Sequence, residues 1–191
     1  MARPRAPIST ISRPSDPVPG RRVIRSTYLV ALGSNRRHGR HGAPAGVLAA
    51  ALDALAAQGM TILAAAPLIS SAPIGPSHRR YANGAALVES ADSPPALLAR
   101  LKAIERAFGR RAGRRWGARV LDLDIILWSG GIWASPGLSI PHPAFRSRGF
   151  VLTPAKAIVP DWRDPLSGFT LRQLAARLAR TSPVDPAPRA A

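Results

Sequence analysis

The apolar positions of this chain alternate between short unbroken runs and helically spaced sets. Thr27-Tyr28-Leu29-Val30-Ala31-Leu32 is nearly all apolar and reads as a buried strand, ended by Gly33-Ser34-Asn35. From Pro44 to Gln58 the stripe Val47, Leu48, Ala51, Leu52 and Leu55 has helical spacing. Pro44 suits the first turn and Gly59 the stop. Met60 to Ile69 reads as a second strand. Ser70-Ser71-Ala72-Pro73-Ile74-Gly75-Pro76 reads as a loop, and Tyr81-Ala82-Asn83 opens a third strand that runs through Glu89. Asp92-Ser93-Pro94 is a helix start with a capping side chain, and Leu97, Leu98, Leu101, Ile104 and Phe108 face inward along that helix. Leu121 to Trp128 is a further buried strand. Ser129-Gly130-Gly131 turns the chain, and Ile132-Trp133-Ala134 can return as its hairpin partner. Leu138 to Pro143 is a Pro-flanked loop, followed by a short helix near Val151–Ile158. Phe169-Thr170 caps a last helix through Arg180 that uses Leu171, Leu174 and Leu178. The order β-α-β-β-α-β predicts an α+β fold of the ferredoxin-like, split βαβ kind: a mostly antiparallel sheet with helices on one side.

Composition adds bounds. The 191 residues fit one domain with tails. Residues 1–26 hold six arginines, one acid and five prolines, and read as a disordered basic extension. Residues 27–180 form the folded domain, and 181–191 a disordered Pro/Ala tail. The extension lacks the apolar run of a secretory signal, and its prolines oppose the amphipathic helix of a transit peptide. With no cysteine there is neither a disulfide framework nor a thiolate metal site. No apolar run reaches the ~18–20 residues that span a bilayer. The net charge of +17 is almost all arginine, since Lys102 and Lys156 are the only lysines. Such an excess favours anionic ligands: nucleic acid, anionic membrane or phosphorylated small molecules. Aromatic residues for stacking bases are sparse, which weakens the case for RNA.

The candidate chemistry centres on Asp122 and Asp124. Alternate strand residues share a face, so the two carboxylates project side by side while Leu121, Leu123 and Ile125 face the other way. A cation between them relieves their repulsion, and Mg²⁺ suits an all-oxygen site. Arg110, Arg111, Arg114, Arg115 and Arg119 precede the pair. Carboxylates that hold metal beside arginines that hold phosphate form the layout of phosphoryl-transfer sites. A plain salt-bridge cluster between the two sets is the competing reading. His38 and His41 read as a solvated pair in a basic loop, and Glu105 as an ordinary surface residue by spacing alone. His142 stands between two prolines that fix the backbone around it.

The run R-W-G-x-R-x-L-D-L-D-I-x-L, Arg115 to Leu127, resembles the signature of the 6-hydroxymethyl-7,8-dihydropterin pyrophosphokinase family. Other segments match in the family's order: Leu32-Gly33-Ser34-Asn35, Pro73-Ile74-Gly75-Pro76, Tyr81-x-Asn83, Ile140-Pro141-His142-Pro143 and Arg148-Gly149-Phe150. The resemblance covers about residues 27–180. It implies transfer of the β,γ-pyrophosphoryl group of ATP to the pterin hydroxymethyl oxygen, with release of AMP. It implies that Asp122 and Asp124 hold two Mg²⁺ ions, and that Arg110, Arg119 and Asp124 are catalytic. Glu105, Arg110, Arg115, Ile125, His142 and Arg148 would bind ATP. Ser71, Ile74, Tyr81, Asn83, Trp116 and Phe150 would bind the pterin. The chain departs from the family in its basic loop Arg36–His41 and in a shorter segment between Gly109 and Trp116.

The expected protein is thus a cytoplasmic monomer whose partners are ATP and the pterin, with no specific nucleic acid and no membrane. Two other readings compete with it: a basic nucleic-acid-binding domain with structural aspartates, and a family member that binds pterin or nucleotide without catalysis.

Overall fold

A computed structural model describes residues 24–71, 80–109 and 120–181. In chain order the elements are β1 (Ser26–Ser34), α1 (Pro44–Ala57), β2 (Thr61–Ala65), β3 (Ile69–Ser71), β4 (Tyr81–Ser90) and α2 (Pro94–Ala107). Then come β5 (Asp122–Trp128), β6 (Trp133–Ser135), β7 (Leu138–Ile140), a 3₁₀ turn (Phe145–Ser147), α3 (Gly149–Ile158) and α4 (Leu171–Thr181). The main sheet runs β2-β4-β1-β5, with β3 also on β4, and every pair is antiparallel. This is the ferredoxin-like α+β arrangement that the pattern predicts.

β1 lies in the middle because both its faces are apolar. Tyr28, Val30 and Leu32 face α1 and α2, and join Val47, Leu48, Leu55, Leu97, Leu101 and Ile104 in one core. Leu29 faces the other way, into a second core with Ile126, Leu127, Val151, Leu152, Leu171 and Leu174. Helices therefore cover both faces of the sheet, not one, and α3 and α4 supply the second layer. An exposed face on so apolar a strand would forfeit about 1.5–3 kcal/mol for each large side chain left in water.

Three boundaries differ from the pattern. The apolar run from Met60 is two strands, because Pro67 has no N–H to give a ladder and sits between them. Ser70 and Ser71, expected in a loop, pair with Ala82 and Tyr81 in β3. β6 pairs with β7 rather than returning on β5, so Leu138–Ile140 is a strand and not a loop; Pro136-Gly137 makes the turn, with Gly137 at φ +78°. The start of α2 also differs. Ser93 is its N-cap residue but makes no capping hydrogen bond. Asp92 instead accepts from the Ser90 hydroxyl and pairs with Arg100, while its carbonyl takes the Tyr28 hydroxyl at 2.6 Å. At α4 the cap is as expected: Thr170 and Gln173 bond each other's backbone N–H reciprocally.

Candidate active site

The site grows from the register of three strands. Gly33, near the end of β1, pairs with Asn83 of β4 on one side and with Asp122 of β5 on the other. Ala31 pairs with Asp124 one step along. A Cβ built on Gly33 would lie 3.8 Å from Asn83 Oδ1 and 4.0 Å from Asp122 Cβ, so the two side chains flank an open strip above the glycine. Leu121, Leu123 and Ile125 are buried in the opposite core. The aspartates thus share the α3/α4 face, half-buried, as alternation predicts.

On the β4 side, the Asn83 amide donates to Ser71 Oγ at 2.8 Å. Ser71 pairs with Tyr81 across the β3–β4 ladder. Three of the residues expected at the pterin therefore form one corner. Asn83 is buried, and its orientation is set by that bond. The strand break at Pro67 matters here, because it lets β3 lie against the start of β4.

On the β5 side, His142 N–H donates to the Ile126 carbonyl at 3.0 Å, which holds the loop after β7 alongside the strand. The Ile140–Pro141 bond is cis. His142 Nδ1 accepts from the Ala144 N–H at 3.2 Å, so the neutral ring carries its proton on Nε2. Burial lowers the His142 pKa below its ordinary value. The Asp124 charge opposes that shift, Arg148 adds to it, and Asp122 also opposes it. The guanidinium of Arg148 lies over the Phe150 ring, 5.9 Å from its centre. The 3₁₀ turn between His142 and Arg148 is anchored from behind: Arg146 grips the buried Asp164 with Nε at 2.7 Å and Nη2 at 2.6 Å.

The sequence reading missed Lys102 and placed Glu105 differently. Glu105 is fully buried. Its Oε1 accepts from the Leu123 N–H at 2.8 Å and from Lys102 Nζ at 2.7 Å. Lys102 also donates to the Leu123 carbonyl at 3.0 Å and stands 3.6 Å from Asp124 Oδ1. The surface reading of Glu105 is thereby corrected: among the described residues β5 is the sheet edge, and the side chain satisfies an edge N–H that would otherwise be buried without a partner. The i,i+3 spacing of Lys102 and Glu105 was a visible signal, as was a lysine in so arginine-rich a chain. The structure also does not bring the Ile125 side chain to the aspartate face, since it lies in the α1/α2 core. Arg110, Arg115, Trp116, Arg119 and Ile74 lie outside the described residues. The His38–His41 pair is not simply solvated: the rings stack at 4.7 Å, and His41 stacks on Phe108 at 5.0 Å.

Among the described residues no group of three or more His, Asp or Glu is placed to hold a metal ion. The donor set fits a hard cation nonetheless. Two half-buried carboxylates share one face and have only oxygen to offer, and Mg²⁺ is commonly bound through one or two carboxylates, with phosphates and water completing its shell. Among the described residues no helix is long and apolar enough to cross a membrane.

Fold and site together define a ferredoxin-like domain with an amide corner and a carboxylate pair on opposite sides of one glycine. The chain belongs to the 7,8-dihydro-6-hydroxymethylpterin-pyrophosphokinase family, whose model matches residues 29–160. It is 41% identical over 145 residues to a Pseudomonas aeruginosa 2-amino-4-hydroxy-6-hydroxymethyldihydropteridine pyrophosphokinase, covering 75% of this chain and 86% of that one. A Synechocystis sp. protein of the same name is 43% identical over 118 residues, 61% of this chain and 60% of that one. The fold resembles that of a Plasmodium falciparum HPPK-DHPS crystal structure with a TM-score of 0.65 at 13% identity, over 85% of this chain and 48% of that one. This chain thus spans about half of that solved chain and 60% of the Synechocystis relative.

Proposed function

We propose that this protein transfers the β,γ-pyrophosphoryl group of ATP to the hydroxymethyl oxygen of 6-hydroxymethyl-7,8-dihydropterin. The oxygen bonds to the β-phosphorus as the bond from that phosphorus to the bridging α–β oxygen breaks, and AMP leaves. The observation that carries the reading is the placement of Asn83 and Asp122 on either side of Gly33, which supplies a pterin edge and a metal-bound triphosphate with adjoining sites.

We assign the pterin corner to Ser71, Tyr81 and Asn83, and add Phe150 through the sequence resemblance. With the Asn83 amide nitrogen given to Ser71, its Oδ1 is oriented to accept from the pterin's amino edge. Asp122 and Asp124 would hold two Mg²⁺ ions, which neutralise the triphosphate and align the in-line attack when bound. Asp124 is also our candidate to take the hydroxyl proton. His142, held neutral with Nε2–H, donates to phosphate oxygen, and Arg148 adds charge beside it. Arg110, Arg115 and Arg119 are assigned to phosphate and Trp116 and Ile74 to the pterin through the sequence resemblance. We assign the activity to residues 27–180 acting as a cytoplasmic monomer, a location that supplies ATP.

The test is incubation with Mg·ATP and the hydroxymethyl-dihydropterin while following AMP. AMP should appear in step with pterin diphosphate. No AMP above background from folded protein at saturating substrates overturns the reading.

A further inference from the structure

We propose that Lys102 and Glu105 form a clamp on the backbone of Leu123 that sets the two site aspartates, making Lys102 a positioning residue for Asp124. The inference rests on the pyrophosphokinase reading for its kinetic consequence, and on geometry for the clamp itself.

Leu123 lies between Asp122 and Asp124, on a strand whose outer edge has no neighbouring strand among the described residues. An edge residue with its N–H and C=O turned outward needs other partners. Here α2 supplies both from one turn: Glu105 accepts the N–H and Lys102 donates to the C=O. Lys102 and Glu105 also pair with each other at 2.7 Å, so the two side chains and the Leu123 backbone close a ring. The Leu123 N–H belongs to the peptide shared with Asp122 and its C=O to the peptide shared with Asp124, so the two bonds hold successive peptide planes and stop the rotation about Leu123 that would swing the flanking carboxylates apart.

The ammonium has three N–H groups and meets three acceptors: Glu105, the Leu123 carbonyl and, more distantly, Asp124. Asp124 is the longest of the three, at 3.6 Å, and therefore the one that can turn to a cation without breaking the ring. The positive charge of Lys102 is meanwhile matched by the buried Glu105, so the lysine does not repel cations at the aspartates as an isolated ammonium would. Lysine suits this place because a compact ammonium can serve three directions, whereas a planar guanidinium has its donors in a fixed fork.

The test uses the full chain carrying Lys102→Met and Glu105→Gln together, which leaves the net charge unchanged and keeps an oxygen for the Leu123 N–H. A thermal melt establishes that it folds. Should it not fold, Lys102→Gln takes its place with the same readouts. Steady-state kinetics should show kcat lower by about tenfold or more, with the pterin KM within about twofold of wild type. Mn²⁺ titration by electron paramagnetic resonance, with a non-hydrolysable ATP analogue present, should show metal affinity about tenfold weaker. A folded variant with both kcat and Mn²⁺ affinity near wild type overturns the clamp, as does a raised pterin KM at unchanged kcat. Wild-type protein that makes no AMP overturns the catalytic reading instead, and the Mn²⁺ titration then decides the clamp alone.

Discussion

Asn83 and Asp122 face each other across a single residue, Gly33, from the two strands that flank β1. Strands lie about 4.8 Å apart, so the two backbones are roughly 10 Å apart, with only a hydrogen atom rising between them at Gly33. Any side chain there enters the strip where the two substrates would meet. A single methyl meets only ordinary contacts, at 3.8 and 4.0 Å. Gly33→Ala should therefore melt no lower than wild type, since alanine in a strand is favoured over glycine by about 0.5–1 kcal/mol. Gly33→Leu should also fold, but kcat/KM should drop by about 10²-fold as the reacting groups are held apart. Melting curves and steady-state rates on the pair check this, and a leucine variant with wild-type kcat/KM refutes the placement.

The carboxylate pair gives a second expectation. Asp124→Asn keeps the size and one acceptor of the side chain but removes the charge. kcat should fall by roughly 10²–10³-fold, as when one fixed electrostatic stabiliser is lost. Pterin binding should change little, because Asn83 and Ser71 stand on the other side of β1. AMP formation and pterin titration calorimetry measure the two separately. A variant that loses pterin binding along with turnover would place Asp124 at the wrong substrate.

How far the sequence reveals this site depends on which interactions are local. The Asp122/Asp124 alternation is a property of any strand, and the capping pair Thr170/Gln173 has a fixed spacing, so both can be read from the chain. The two cores could be foreseen in part. β1 is apolar on both faces, which already requires two layers, but α3 and α4 read as additions rather than as the second layer. The break at Pro67 was visible as a proline, while its consequence, a β3 that carries Ser71 to Asn83, depends on pairing with a strand ten residues on. Glu105 and Lys102 were hardest, because their partner Leu123 belongs to a different element and its need for them follows only from β5 being an edge. Asp164 likewise gave no local sign of its grip on Arg146.

His142 yields a prediction about pH. Its pKa is lowered chiefly by burial, so the folded protein holds the ring neutral where the unfolded chain, near pH 6.5, begins to take a proton. The sign follows directly: this histidine's contribution to stability is complete above about pH 6.5 and is lost as pH falls toward the lower folded value. Proton NMR should find its titration midpoint below 6.5, rising when ATP places phosphate beside Nε2. His142→Ala should weaken ATP binding by about 10- to 100-fold, the worth of a hydrogen bond to a charged group. A midpoint above 6.5 in the free protein would contradict the environment described.

Asp164 supports, from a distance, the turn between His142 and Arg148. Its carboxylate is buried, which alone would raise its pKa. Hydrogen bonds from Arg146, from the Ser167 hydroxyl and from the Leu166 N–H outweigh burial and lower it. Arg146 lies in the turn Phe145–Ser147 that links His142 to Arg148, so this pair fixes the segment between the two side chains. Removing one partner of a buried ion pair costs about 3–5 kcal/mol, and in a chain of this size each kcal/mol shifts Tm by roughly 2–4 °C. Asp164→Ala should accordingly lower Tm by about 6 °C or more at pH 7. The difference from wild type should persist down to about pH 4, where the unfolded carboxyl starts to protonate. It should then shrink as pH falls through the lower folded value, because below that the wild-type group is neutral as well. Melts of both proteins from pH 7 to 2.5 test the argument. A gap that stays constant to the acid end would mean that Asp164 acts through packing alone, and its charge would then not be what holds Arg146.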